Sequence, residues 1–433
     1  MRTLRCSLFI AVAAVLASCA TVQTPKEGKD YSQDIRQLLR QLAANPDDPS
    51  VLRELGIRYF LTKQFDAAKL PLYRAYSLAA DDPKTIFYYG LTLESMGDAQ
   101  GALAVYINYT DVSSSSPYRK LIEGRYRTLT REMIRQQFQS LLANEQQRGA
   151  ERMSPKAVAV FPLSYQGMDP KFEALGKGIS EMLLIDLGQI KSLTLIERIR
   201  IESLLEELKF GQTKFVDRTT APRLGKLLSA GRLISGSFNV SGNTLRADVA
   251  AWDVVNRKFP DLKSRADDLD NLFKLEKEIV FAVLRELGIT PTPEERQRIQ
   301  FIPTKNILAF MSYCMGLKSE DAYDYQAAKV YYNEAVTIDP SFELAKTKAA
   351  AAEALAAGGG PKEGALLAAQ QADPVKQVRT SRINLVLNRF DNLGNGTGSL
   401  FRPGQDDRKP IEELIEAGLA VDVLPDPPPP PPR

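Results

Sequence analysis

Gly176-Lys177-Gly178 follows a strand-like run and heads a helix-like one, a place where a glycine-rich turn could cradle a phosphate. The spacing does not complete that chemistry. Position 171 is Lys, and no Ser or Thr follows Lys177 directly, which breaks the Walker pattern. Glu181 stands where a dinucleotide fingerprint needs its third glycine. The glycines therefore read as letting a helix start pack closely. Gly394-Asn395-Gly396-Thr397-Gly398 has Ser399 in the third glycine's place and reads as a loop; Asp391-Asn392-Leu393 departs from a calcium loop at its third residue. Glu206-Glu207 and Asp267-Asp268 are neighbours on helices, so their carboxylates diverge and read as solvated surface. The chain has no histidine, which removes Ser-His-Asp and Cys-His nucleophiles, His-ligated zinc and the usual general base near neutral pH. Cys314, among Ala309, Phe310, Met311 and Met315 in a helical pattern, reads as a buried packing thiol. No catalytic residue, metal site or cofactor is expected, and the protein reads as no enzyme.

The elements that would position any site are those of ordinary globular protein. Of 433 residues, 44% are hydrophobic and 25% charged, enough apolar material for real cores and, at about 150 residues per domain, for about three of them. The balance of 56 basic and 53 acidic residues is too even to suggest a nucleic-acid partner.

The amino terminus, MRTLRCSLFIAVAAVLASC, has two arginines, an apolar run from Leu8 to Leu16, and then small residues. That run is about half the ~20 residues that cross a bilayer, so residues 1–18 read as a secretory signal and not as a membrane span. Leu16-Ala17-Ser18-Cys19 resembles the lipobox of bacterial lipoproteins. The resemblance implies that Cys19 is lipidated as the new first residue, and Ala20 after it, rather than Asp, implies sorting to the outer membrane. Cys6 leaves with the signal and Cys19 carries lipid, so Cys314 is the one thiol left and no internal disulfide can form.

A period of 34 residues runs near the amino end: Leu55-Gly56 returns as Tyr89-Gly90, Ala68 as Ala102, Leu72 as Tyr106, Pro49 as Pro83. These residues resemble the tetratricopeptide pattern, in which small residues let two antiparallel helices approach and large ones fill the gap. The segment 48–116 reads as such repeats, with a capping helix around Ile35, Leu38, Leu39 and Leu42 in a tether of 19–47. The family's geometry implies a concave protein-binding face that includes Arg53, Ile57, Phe60, Phe87, Leu91 and Glu94. The stretch 117–150 reads as one long helix, apolar at Leu121, Ile122, Tyr126, Leu129, Met133, Phe138, Leu141 and Leu142. Its other face, Arg119, Lys120, Arg127, Arg131 and Arg135, reads as solvated. The repeat pattern returns at 305–374 with Gly316, Ala328, Tyr332, Ala335 and Pro340. A degenerate copy follows, with a Gly358 to Pro361 loop and Pro374. Since about three repeats are needed for independent stability, this pair is expected to dock on the centre of the chain.

Between the repeats, the order from Lys156 is strand (Lys156 to Leu163), helix (Leu175 to Leu187), strand (Leu193 to Ile196), two helices, then strands Arg232 to Val240 and Thr244 to Val255 about Ser241-Gly242-Asn243. This predicts an α/β domain with a mixed sheet over 155–260, a linking helix in 265–300 beginning at Asp267, and an α+β multidomain chain. The runs VAVFPL, LGKGISEMLLIDL, LTLIERIRIESLLEELKF, RLGKLLSAGRLISGSF and LRADVAAWDV resemble the domain shared by CsgG, the curli secretion lipoprotein, the flagellar lipoprotein FlgO and the amino-terminal domain of TolB, over roughly 156–256. In the curli channel, added strands join a barrel across the outer membrane. Such strands need ~9–11 residues with alternating lipid-facing positions. Here the stretch is already filled by the compact domain, and Arg246, Asp248 and Trp252 share one strand face, so the reading is not a pore. The tail, 375–433, holds a possible strand at Ile383 to Leu387, a short helix near Ile411 to Ala417, and Pro427 to Pro432, a polyproline II spacer or a docking ligand.

The function expected is an interaction scaffold at the periplasmic face of the outer membrane, in curli-like, flagellar or other envelope assembly. Its partners would be periplasmic or outer-membrane proteins or peptides, with a homo-oligomer also open. Three alternatives stand beside it: an activator of peptidoglycan synthases, a secretion-channel component of the curli type, and a carboxylate-based hydrolase, whose mark would be two carboxylates converging in one cleft.

Overall fold

A computed structural model describes residues 30–145, 153–208, 216–259 and 263–371. The signal, Cys19 and the tail beyond Gln371 lie outside them. The first helices are α1 (Ser32–Ala44), α2 (Pro49–Leu61), α3 (Phe65–Leu78), α4 (Pro83–Ser95) and α5 (Ala99–Tyr106). Asp48 and Asp82 each cap a helix whose first residue is proline, by accepting backbone N–H bonds from the first turn. That repeated Asp-Pro start sets the 34-residue phase. Within each hairpin the small residue is obligatory: a Cβ on Gly56 would lie 2.4 Å from Leu72, and one on Gly90 2.1 Å from Tyr106. A third hairpin, α12 (Ile307–Asp321) with α13 (Tyr325–Ile338), uses the same device, Gly316 against Tyr332.

The long helix α6 (Pro117–Ala143) has two jobs. Tyr118, Leu121, Ile122, Tyr126 and Leu129 share a core with α2 to α5, whereas Ile134, Phe138 and Leu141 belong to the core under the sheet. Across it runs α14 (Glu343–Gly358), followed by α15 (Lys362–Gln371), whose Ala365 and Ala369 join the first hairpins' core. Helical segments more than two hundred residues apart thus share one core. The α6 face predicted to be solvated is instead a contact surface. Arg131 is buried, and Lys120 and Arg135, though half-exposed, meet Glu353 at 2.9 Å and Glu207 at 3.6 Å. The sequence period located the apolar stripe but could not see that Glu207 and Glu353, far along the chain, reach the other side.

The sheet runs β3-β1-β4-β5-β6 in space, from β1 (Ser154–Val160), β3 (Thr194–Leu195), β4 (Ala230–Ser241), β5 (Thr244–Asp253) and β6 (Lys263–Asp268). β1, β3 and β4 are parallel, while β4, β5 and β6 form an antiparallel meander. β2 (Ser164–Tyr165) resumes along β4 after Pro162, which has no N–H to give the ladder. β4 and β5 stay in register from Arg232–Asp253 to Ser241–Thr244, with Gly242 at φ +59° in the turn. One sheet face packs on α7 (Leu175–Leu187), α10 (Leu272–Glu286) and α12; the other packs on α6, α8 (Arg198–Glu207) and α9 (Ala221–Leu227). The architecture is α+β and multidomain, with helical hairpins on either side of a six-stranded mixed sheet.

β6 replaces part of the helix predicted from Asp267, and α10 begins only at Leu272; α11 (Pro293–Ile299) follows it. KSRADD shows no apolar alternation: β6 is the sheet edge, with Ser264, Ala266 and Asp268 exposed on one side and the polar Arg265 and Asp267 half-buried on the other.

Between α7 and α10 three ionisable groups are buried together: Asp186, Glu276 and Lys277, with Lys277 Nζ 3.1 Å from Glu276 and also paired to Asp186. One ammonium serves two carboxylates. Burial, then Asp186, drives the Glu276 carboxyl well above its ordinary range, and burial raises Asp186 to about 6. Native Glu276 therefore keeps a proton that the unfolded chain releases, and the stability tied to it falls as pH rises above the ordinary carboxyl range. Glu276→Gln needs no proton. We expect it to raise unfolding free energy by roughly 1–3 kcal/mol at pH 8 and by little near pH 4, measured in urea titrations; a loss at pH 8 would contradict this assignment.

Candidate functional site

β1 lies between β3 and β4, and the chain crosses it on both sides: α7 leads from β1 over one face to β3, and α8 with α9 leads from β3 over the other face to β4. Beyond the carboxyl end of such a strand the two flanking helices part and leave a crevice, the usual ligand position in open α/β sheets. Here the crevice measures about 240 Å³. Its floor is Pro162, Leu163 and Tyr165, its walls are the start of α7 and the middle of α8, and α6 and α12 roof it with Arg131, Lys318 and Asp321.

Close packing sets this geometry. A Cβ on Gly176 would meet the Leu163 carbonyl oxygen at 2.0 Å, and one on Gly178 would meet Cys314 Sγ at 2.1 Å. Ser180 Oγ accepts the Leu163 N–H at 3.1 Å, pinning the chain where β1 ends. The N–H groups of Gly176, Lys177 and Gly178 already donate to the Glu173 and Ala174 carbonyls, so the first turn of α7 has no free cradle for phosphate. The glycines are packing residues, and Cys314 is fully buried with its thiol pushed far up by burial.

Lys177 Nζ lies 2.9 Å from Glu202 and 2.7 Å from Asp321. Arg198, on α8, reaches Asp321 at 2.6 Å, Glu181 at 3.1 Å and Glu320 at 3.4 Å. Lys348 meets Glu320 at 3.3 Å, and Tyr332 donates to it at 2.7 Å. Burial opposes charge on every member, and the balance differs between them. Asp321 is held below the usual carboxylate range because Arg198 and Lys177 outweigh burial, and Lys177 is raised because Asp321 and Glu202 do the same. Glu202 goes up, from burial first and then from Asp321. Two carboxylates do converge in one cleft, but on a shared ammonium. The arrangement fixes charges across the junction of α7, α8 and α12 rather than leaving a pair free to pass protons.

The repeat geometry predicts an open inner face at Arg53, Ile57, Phe60, Phe87, Leu91 and Glu94; the structure corrects this. Ile57, Phe60, Phe87, Leu91 and Glu94 are buried, and Arg53 is paired to Asp82 at 3.0 Å. Tyr88 stacks edge-on over Phe60, Tyr118 of α6 packs on Phe87 at 5.6 Å, and Arg125 of α6 pairs with Glu94. α4 closes this face over Phe60, and α6 closes it over Phe87 and Glu94. The cleft itself escaped sequence reading: Glu202, Arg198 and Asp321 look like surface helix charges until the fold joins them, and Lys177 in its glycine pair was the one available signal.

No curated protein matches the chain. Residues 140–242 are similar to CsgG, the curli production assembly/transport component; they span the end of α6, β1 to β4 and the helices between them, and so the floor and both walls of the crevice but not Arg131, Lys318 or Asp321 in its roof.

Proposed function

We propose that this chain is a lipoprotein held at the periplasmic face of the outer membrane by Cys19. There it acts as an interaction scaffold in envelope or surface-appendage assembly of the curli-like or flagellar kind, and is not itself a pore. The observation that carries the reading is the CsgG-like domain set between tetratricopeptide-type hairpins, sharing a core with the later one and joined to the first ones through α6. Such helical arrays serve protein contact. The non-pore part is supported by β4 and β5, paired along their length to a two-residue turn, with no hairpin leaving the sheet among the described residues. Among those residues no helix is long and apolar enough to cross a membrane; the lipid attachment rests on the lipobox-like Leu16-Ala17-Ser18-Cys19.

The CsgG match itself favours one competing reading, a component of a secretion channel. Planar bilayers separate the two: purified protein should give no discrete conductance steps, and reproducible steps would establish the channel. In fractionated envelopes Cys19→Ala should move the protein from the outer-membrane to the soluble periplasmic fraction and abolish labelling by radioactive palmitate. Retention of both would remove the anchor.

A further inference from the structure

We propose that the crevice at the end of β1 binds one aliphatic ammonium group on a stem of amino-acid size, such as lysine presents. Four carboxylates, Glu173, Glu202, Glu206 and Asp321, line it against three cations, Arg131, Lys177 and Lys318, so the walls carry one negative charge in excess. Lys177 holds one oxygen of Glu202 at 2.9 Å, while the other, Oε1, is buried without a hydrogen-bond donor and lies 3.9 Å from Arg198. A buried carboxylate oxygen in that state gains most from a charged donor. An anion has nothing comparable to gain: the amides at the start of α7 are engaged, and Lys177 already meets two carboxylates. The floor of Pro162 and Leu163, with Leu205 in the wall, is aliphatic and suits a methylene stem. A volume of about 240 Å³ falls below the ~300–1,000 Å³ of sites for drug-sized ligands and matches a single residue.

At the half-exposed edge, the Lys318 ammonium already pairs with Glu173. It stands where an incoming ammonium would be drawn, so Lys318 competes with the ligand.

The test is calorimetric titration of the full mature chain with Nα-acetyl-L-lysine amide, free L-lysine and Nα-acetyl-L-norleucine amide, which keeps the stem and loses the charge. Saturable binding of a lysine probe is expected, about tenfold or more tighter than norleucine. A preference for the acetylated amide assigns the site to a lysine side chain within a peptide, and a preference for the free amino acid assigns it to a soluble ligand. Glu202→Gln should weaken binding about tenfold, whereas Lys318→Met should tighten it several-fold by releasing Glu173. The second variant lies at the rim, folds independently of the ion network, and changes affinity in a direction that loss of structure would not produce. No saturation with either lysine probe, equal binding of norleucine, or wild-type affinity in Lys318→Met would overturn the proposal.

Discussion

Arg125→Met should destabilise the protein by about 3–5 kcal/mol, the largest effect we expect of any single side chain. Arg125 and Glu94 are each only 3% exposed and form a two-pronged pair, with Arg125 Nε 3.1 Å from Glu94. Arg125 also donates to the Gly360 carbonyl at 2.8 Å, and Glu94 accepts the Tyr106 hydroxyl at 2.7 Å. Three helices, α4, α5 and α6, and the loop between α14 and α15 are thus tied at one point. Methionine can fill the volume, yet it leaves Glu94 a buried charge without a counterion, and that desolvation term dominates. The mechanism has a signature in the double variant. Adding Glu94→Gln keeps an acceptor for Tyr106 and removes the stranded charge, so Glu94→Gln with Arg125→Met should recover more than half of the loss. A double-mutant cycle by urea unfolding measures this. Additive losses would mean that the pair contributes through packing alone.

The second large effect is steric. Gly124 and Gly358 meet where α6 crosses α14: a Cβ on Gly124 would lie 2.2 Å from the Ala354 carbonyl oxygen and 2.8 Å from Gly358 Cα. On an isolated helix, Gly→Ala gains about 1 kcal/mol. Here the obstacle is backbone, which has no rotamer to change, so Gly124→Ala should push α14 away and cost about 1–3 kcal/mol net. Undocking also separates Arg125 from the Gly360 carbonyl. Hydrogen exchange should therefore quicken in α14 and α15 while the α2–α3 hairpin keeps its protection. A Gly124→Ala protein as stable as the parent would show that the crossing is not tight in solution.

Several elements were legible because their cause is local. Gly56, Gly90 and Gly316 mark hairpins since only a missing side chain admits Leu72, Tyr106 or Tyr332. The β4–β5 hairpin followed from two alternating runs about a glycine turn. β6 was illegible for the converse reason: an exposed edge strand has no apolar side to display. The same limit explains the binding face read from the repeats. Phe87 is apolar whether a partner or Tyr118 of α6 covers it, and Phe60 whether a partner or Tyr88 of α4 does; periodicity does not distinguish the two.

The sequence by itself determined the hairpins, their Asp-Pro starts, the strand and helix order of the central domain, and the packing role of the Gly176 and Gly178 pair. All of these depend on neighbours within a few turns or one repeat. Tertiary structure alone decided that α6 joins distant hairpins, that the inner repeat face is closed, and that Lys177, Glu202 and Asp321 share a crevice. Those outcomes turn on which charged side chain meets which across more than a hundred residues of chain, as Arg198 meets Asp321 at 2.6 Å. A charge on a helix looks the same in sequence whether water or a buried counterion satisfies it; the difference lies in desolvation, and only the folded neighbourhood sets that.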